Sequence, residues 1–339
     1  MKKNIIKIFS IGIVIGTILG CKTPSIKDNN QLGHIHFAKT ITINDLQKHL
    51  YTIAADSMMG RDTGSEGLKK AGEYIIGQYK KLGITPPPSA DNYYQPIASK
   101  YMRTAWSKKL PDSENIWAYI EGTNLKDEVV VLTAHYDHIG YKNHEIYNGA
   151  DDNASGTSAL LEIAEALTLA AQQGIKPKRS ILLLHLTGEE YGLHGSRYYV
   201  NNPIIPLDKT IANVNVDMIG RNGFGMENNN HYVYVIGSDK LSSDLHKLSE
   251  KANFLDLKLD YRYNSETDPN QYYYRSDHYN FVLQKIPSIF YFGGEHKDYH
   301  QTTDTAEKIN YPLLTKRTQL IFSLVWLLAN TDEKPKIDK

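Results

Sequence analysis

Val129-Val130-Val131-Leu132-Thr133-Ala134-His135-Tyr136-Asp137-His138 begins as an unbroken apolar run and ends in ionisable side chains. A run without polar alternation is the pattern of a strand covered on both faces, the usual condition in a parallel sheet. Ile181-Leu182-Leu183-Leu184 reads the same way. Between the two runs, Leu160, Leu161, Ile163, Ala164 and Leu167 fall at helical spacing, and the pattern stops near Gly174. Strand, helix and strand in that order predict a βαβ unit, and hence an α/β domain with a mostly parallel sheet.

On the C-terminal side, further strands are predicted over 211–216, 232–236 and 288–292. A closing helix over about 312–329 carries Leu320, Leu324, Leu327 and Leu328 at core-facing spacing. On the N-terminal side, Asn44 is the predicted cap of a helix through Leu46, Leu50 and Ile53. The turn Gly60-Arg61-Asp62-Thr63-Gly64-Ser65 leads to a second helix through Ala71, Tyr74, Ile75 and Tyr79. That helix stops at Gly83, and Pro86-Pro87-Pro88 prevents its resumption. The polar loop 222–231 and the segment 261–275 read as insertions on one rim. The stretch from Pro96 to Asn115 is too short for an inserted domain.

The chain of 339 residues balances 38 Lys and Arg against 38 Asp and Glu. Zero net charge removes the electrostatic footprint of a general nucleic-acid binder, so no nucleic-acid partner is expected. Cys21 is the only cysteine, which excludes an internal disulfide and a thiolate metal cluster. It follows Lys2, Lys3 and Lys7, an apolar run from Ile8 to Leu19, and Gly20. Residues 1–20 therefore read as a secretory signal that is too short to span a membrane comfortably. Ile18-Leu19-Gly20-Cys21 resembles the bacterial lipobox, which implies an acylated Cys21 and an exported, membrane-anchored protein. The absence of Asp after Cys21 favours the outer membrane in such lipoproteins. Residues 21–40 read as a polar tether, and about 41–332 as a single catalytic domain.

Five places join metal-ligand residue types to the carboxyl ends of predicted strands or the loops beside them, where open α/β sheets bind ligands. Taken singly, each also has an ordinary reading. His135 follows the first buried strand, and Asp137 could take its second ring N–H. Gly149-Ala150-Asp151-Asp152-Asn153-Ala154-Ser155-Gly156 opens the βαβ helix, where Asp and Asn also serve as caps. Its spacing imitates a calcium loop, but that motif needs a preceding helix, which the turn residues Gly140, Asn143, Asn148 and Gly149 argue against. Thr187-Gly188-Glu189-Glu190 ends the second buried strand; neighbouring side chains in extended chain point opposite ways, so one Glu can ligate while the other acts as a base. Asp217 ends a third apolar strand, and Tyr299-His300 lies in the loop after the strand ending at Phe292. Two histidines and several carboxylates at one sheet edge suit catalytic zinc with an open position for water.

These segments resemble the co-catalytic zinc peptidases that include bacterial leucyl aminopeptidase, aminopeptidase Y and glutamate carboxypeptidase II. The similarity spans about 44–329, and the Gly60 to Ser65 turn also looks like that family's N-terminal signature. The resemblance implies a three-layer α/β/α fold with a mixed central sheet and a peptide substrate. It implies one zinc on His135 and Asp217, a second on Glu190 and His300, and Asp152 bridging them. Glu189 would be the general base, Tyr299 a donor to the scissile carbonyl, and Asp137 the group that orients His135. Ser276-Asp277-His278 also looks family-like, with Ser276 open to a role as helix cap. The implied activity is an aminopeptidase-type exopeptidase. The alternatives are a one-zinc glutaminyl cyclase-like enzyme and a non-catalytic binding lipoprotein.

Overall fold

In the computed structural model residues 33–105 and 107–339 are described; the readings of residues 1–20 and of Cys21 lie outside them. The strands are β1 (Tyr94–Ile97), β2 (Ser113–Ile120), β3 (Leu125–His135), β4 (Gly140–Lys142), β5 (Glu145–Tyr147), β6 (Arg179–Leu186), β7 (Thr210–Asp217), β8 (Tyr232–Ile236), β9 (Lys258–Asp260) and β10 (Ser288–Phe292). Among the described residues, eight of these form one sheet in the order β1-β2-β6-β3-β7-β10-β8-β9. Its centre, β6-β3-β7-β10, is parallel throughout. The antiparallel pairings β1–β2, β2–β6 and β10–β8 make the sheet mixed.

Alternate residues of the central strands enter separate apolar layers. Val130, Leu132 and Ala134 of β3 join one cluster, whereas Val129 and Val131 join another with Leu182, Leu184 and Leu186 of β6. The first cluster is closed by α1 (Ile43–Ile53), α2 (Glu66–Lys81), α3 (Gly156–Gln172), α5 (Ser243–Ala252) and α7 (Tyr311–Asn330). The second is covered by Tyr199 and Val200 of α4 (His194–Asn201) and Phe281 of α6 (His278–Leu283). Burial on both faces is why these strands show no alternation in sequence.

Local differences from the sequence reading have simple causes. The cap of α1 is Thr42, whose hydroxyl oxygen accepts the Asp45 N–H at 3.3 Å and donates to the Asp45 carboxylate at 2.7 Å. Asn44 lies inside the first turn instead. Residues 33–38 are helical, with Phe37 and Ala38 buried, so packed structure begins before residue 41. The segment before Asp151 is the β4–β5 hairpin, not the helix a calcium loop requires. Ser65 caps α2, its hydroxyl accepting the Leu68 N–H at 3.2 Å.

Arg61, from the turn before α2, is fully buried and ties that turn to the sheet edge. Its guanidinium donates to the carbonyls of Ile53, Tyr136, Asn148 and Gly149 at 2.7–2.9 Å. Burial lowers its pKa to about 10, with Asp152 and Asp137 opposing the shift. Arg61→Met would leave four carbonyls without that donor. The expected loss is at least about 3 kcal/mol of stability, given ~1–3 kcal/mol per buried unsatisfied group. Urea unfolding of the metal-free protein measures it, and an unchanged midpoint would refute the bracing role.

Candidate metal centre

The sheet assembles the site because each strand ends at the same edge. His135 is the last residue of β3 and Asp217 the last of β7; Glu189 and Glu190 follow β6, and His300 lies in the loop after β10. Asp152 comes from the turn that precedes α3. Asn153 holds this turn to β7: its amide donates to the Val216 carbonyl at 2.9 Å, and its Oδ1 accepts the Gly156 and Met218 N–H groups at 2.9 and 3.2 Å.

Two groups of side chains are placed to hold cations: His135, Glu189 and Asp217 form one, and His138, Asp152 and Glu190 the other. Asp152 lies between them. Its Oδ1 is 3.2 Å from His135 Nε2, and its Oδ2 is 3.1 Å from His300 Nε2. His135 Nε2 also lies 3.2 Å from Asp217 Oδ1, and His300 Nε2 lies 3.1 Å from Glu190 Oε2. Asp151, by contrast, faces away: its carboxylate accepts the Gly220 N–H at 2.5 Å and meets His296 Nε2 at 3.1 Å.

Donor chemistry fits zinc. Ligands about 2.0–2.1 Å from a tetrahedral zinc stand ~3.3 Å from one another. The His135–Asp217, His135–Asp152, His300–Asp152 and His300–Glu190 separations of 3.1–3.2 Å lie close to that edge. Without a cation, protons supply the compensating charge. Burial lowers the His135 pKa, but Asp217, Glu189 and Asp152 overcome this and hold it well above the usual value. Against the same burial effect, Asp152 and Glu190 raise His300 to about 10. Burial alone would push Asp152 up, but His138, His135 and His300 hold it well below the normal carboxylate range.

Glu189 differs from its neighbour. Burial, helped by Asp217, Asp277 and Glu190 and opposed by His135, raises its pKa well above normal. Glu190 is shifted the other way: burial and Asp152 push up, while His138 and His300 prevail. Adjacent carboxylates in one turn thus occupy opposite electrostatic settings. Tyr299 stacks on the His300 ring at 3.8 Å between centroids, and burial beside Asp152, Glu190 and Glu189 keeps its hydroxyl protonated.

The supporting residues are more numerous than the sequence revealed. Asp137 accepts from the Thr63 hydroxyl at 2.9 Å and from the Glu189 N–H at 3.2 Å. The His135 Nδ1 is within hydrogen-bond reach of the Asp137 carbonyl, at 3.2 Å, while the Asp137 carboxylate stands 3.8 Å away, so the main chain is the group placed to orient the ring. Ser276 is no side-chain cap: it donates to Asp217 Oδ2 and accepts from the Asn215 amide, both at 2.8 Å. Asp304 accepts the N–H groups of Asp151 and Asp152 at 2.9 and 3.1 Å, locking the turn beneath the shared carboxylate. Nothing near Asp304 in sequence marks this role. His138 could have been noticed as the last ionisable residue of its motif.

Beside the site opens a narrow cleft. Met218, Phe290, Phe292 and Tyr272 form apolar wall, with Arg275 and Glu295 at 2.9 Å as a polar edge. Segment 261–275 therefore reaches the site through Tyr272 and Arg275. Loop 222–231 instead ties to the start of α7, where the Asn310 amide donates to Asn222 at 3.0 Å.

Residues 115–325 match the family model described as peptidase family M28. The chain is 28% identical over 239 residues to aminopeptidase YwaD of Bacillus subtilis (strain 168), covering 67% of this chain and 47% of that protein. It is 36% identical over 136 residues to the probable glutamate carboxypeptidase VP8 of Zea mays, covering 40% of this chain and 17% of that protein. The chain thus spans less than half the length of these curated relatives. In fold it is similar to the LapA aminopeptidase of Legionella pneumophila, with a TM-score of 0.66, 19% identity, and 91% of this chain and 76% of that chain covered.

Proposed function

The chain belongs to peptidase family M28, and from that premise we propose that it is an exopeptidase of aminopeptidase type, using two zinc ions and Glu189. The observation that carries the reading is Asp152, with one carboxylate oxygen turned to His135 and the other to His300. A carboxylate so placed would be able to hold two cations, which favours two metals over a one-zinc cyclase. His135, Asp217 and Asp152 would hold one, and His300, Glu190 and Asp152 the other. When bound, such metals lower the pKa of a water and polarise a peptide carbonyl.

The chain's own groups supply the rest. Glu189, grouped with His135 and Asp217, takes the proton of the attacking water and passes it to the leaving amine. Tyr299 donates its retained hydroxyl proton to the carbonyl oxygen as negative charge develops there. Asp137 fixes the His135 ring through its main-chain carbonyl and the Glu189 main chain through its carboxylate, which Thr63 also holds. The cleft beside Glu189, with Met218, Phe290 and Phe292 on one wall, receives the side chain of a terminal residue. YwaD is named an aminopeptidase and matches the larger share of this chain, which supports amino-terminal cleavage.

A peptide-library digest resolved by mass spectrometry tests this. Loss of single amino-terminal residues is the expected result. Trimming from the carboxyl end, or loss of ammonia from amino-terminal glutamine, would redirect the assignment; no turnover at all would leave a binding lipoprotein.

The proposal includes export and lipid attachment at Cys21, supported by Ile18-Leu19-Gly20-Cys21 after an apolar run. Among the described residues, no helix is long and apolar enough to cross a membrane. Cys21→Ser should move the protein from the membrane fraction to the soluble one. Continued sedimentation with salt-washed membranes would exclude acyl anchoring at this residue.

A further inference from the structure

We propose that His138 is a sixth protein ligand, holding the second cation through Nδ1 alongside His300, Glu190 and Asp152. The inference rests on the two-metal reading above and adds an asymmetry to it.

His138 follows His135 by three residues, past the end of β3, so the chain has turned and the ring lies beside the other cluster. Its main-chain N–H donates to the Arg61 carbonyl at 3.0 Å, and the side chain is completely buried. Nδ1 is 2.6 Å from Glu190 Oε1 and 3.6 Å from Asp152 Oδ2. Despite this proximity, neither ring nitrogen nor Glu190 Oε1 has hydrogen-bond geometry to any partner. A cation between Nδ1 and the carboxylates would satisfy the atoms that face one another.

The spacing agrees. Around the second cluster, the His300–Asp152, His300–Glu190 and His138–Asp152 separations are 3.1, 3.1 and 3.6 Å. These bracket the ~3.3 Å edge of a tetrahedral zinc site, whereas the 2.6 Å contact of His138 Nδ1 with Glu190 Oε1 is shorter and would have to open as the ion enters. The ring is lodged in place, since a Cβ on Gly149 would lie 2.4 Å from it. Gly149 also has φ of 55°, so any other residue there would be both strained and in collision with His138.

The consequence is a division of labour. The His135–Asp217–Asp152 cluster keeps Glu189 as its neighbour and room for water, as a catalytic site needs. The second cluster, with two histidines and two carboxylates, has the closed character of a structural site. Its cation should leave slowly and the other quickly.

Cobalt(II) replaces zinc as the probe. The metal-free full chain is titrated with Co²⁺ while its visible bands are followed, and release to a chelator is timed. Wild type should bind two ions and release them in two phases. In His138→Asn the slow phase should quicken, the second ion should bind at least ~100-fold more weakly, and its band should change. A loss that large exceeds the ~10–100-fold usual for a group that only orients a ligand. An unchanged second band with affinity within about tenfold of wild type would overturn the proposal. Should that variant fail to fold, wild type decides alone. Its cobalt form should show three hyperfine-shifted, exchangeable imidazole N–H resonances, from His135, His138 and His300, and two would overturn the assignment. Uptake of fewer than two ions by wild type would instead remove the two-metal reading itself.

Discussion

Glu189→Gln should lower turnover by about 10²–10⁴-fold, the usual worth of a general base, with KM and zinc content near wild type. The amide keeps the shape and hydrogen-bonding reach of the side chain but cannot accept the water's proton. Glu189 stands within the first metal cluster, so geometry alone permits it as a ligand. Glu190 is the carboxylate of the other cluster, with Oε2 at 3.1 Å from His300 Nε2, so substitution has to separate the two roles. Zinc analysis by emission spectroscopy, run beside kinetics, separates the roles. Glu190→Ala should lose metal as well as activity. The assignment reverses if Glu189→Gln loses its zinc while Glu190→Ala retains it.

Asp152→Asn should have the second large effect, because one substitution touches both cation positions. Each oxygen now faces a histidine of a different cluster. Removing the charge should weaken at least one cation by more than ~100-fold, beyond the loss usual for a supporting group. Activity should fall with it, recovering only in excess zinc. Calorimetric titration of the metal-free variant checks this, and two undiminished zinc sites would exclude a bridging role.

The same substitution has a signature in the metal-free chain. Asp152 and Glu190 raise His300 from 6.5 to about 10, so the folded state favours its proton. That stabilisation is fully present below about pH 6.5 and disappears as pH rises through about 10. Asp152→Asn removes one of the two partners. The fall in urea midpoint across this window should therefore be shallower in the variant than in wild type.

Composition and local order determined a good deal by themselves. The uninterrupted runs at 129–132 and 181–184 could be satisfied only by a strand with apolar layers on both sides, and the helix between them forced a parallel connection. Ionisable residues placed directly after such runs must emerge at the sheet's edge, where water or a cation can meet them. His135, Glu190 and Asp217 could be placed at that edge for this reason, whereas Asp152 and His300 were singled out by the resemblance to the zinc peptidases, the five being scattered over 166 positions (135 to 300, both counted). What local pattern does not carry is which groups meet once the strands are ordered. The edge strand β1 and its neighbour β2 stayed hidden because mixed polarity and Pro96 obscure their alternation. Apart from the bond of Arg61 to the nearby Ile53 carbonyl, Arg61, Ser276 and Asp304 act through contacts 59 to 153 positions away in sequence, so no neighbouring residue announces them. His138 lay inside a motif already read, but its partner could not be inferred. Past the end of β3 the period-two rule lapses, and only packing against Arg61 and Gly149 turns that ring toward Glu190.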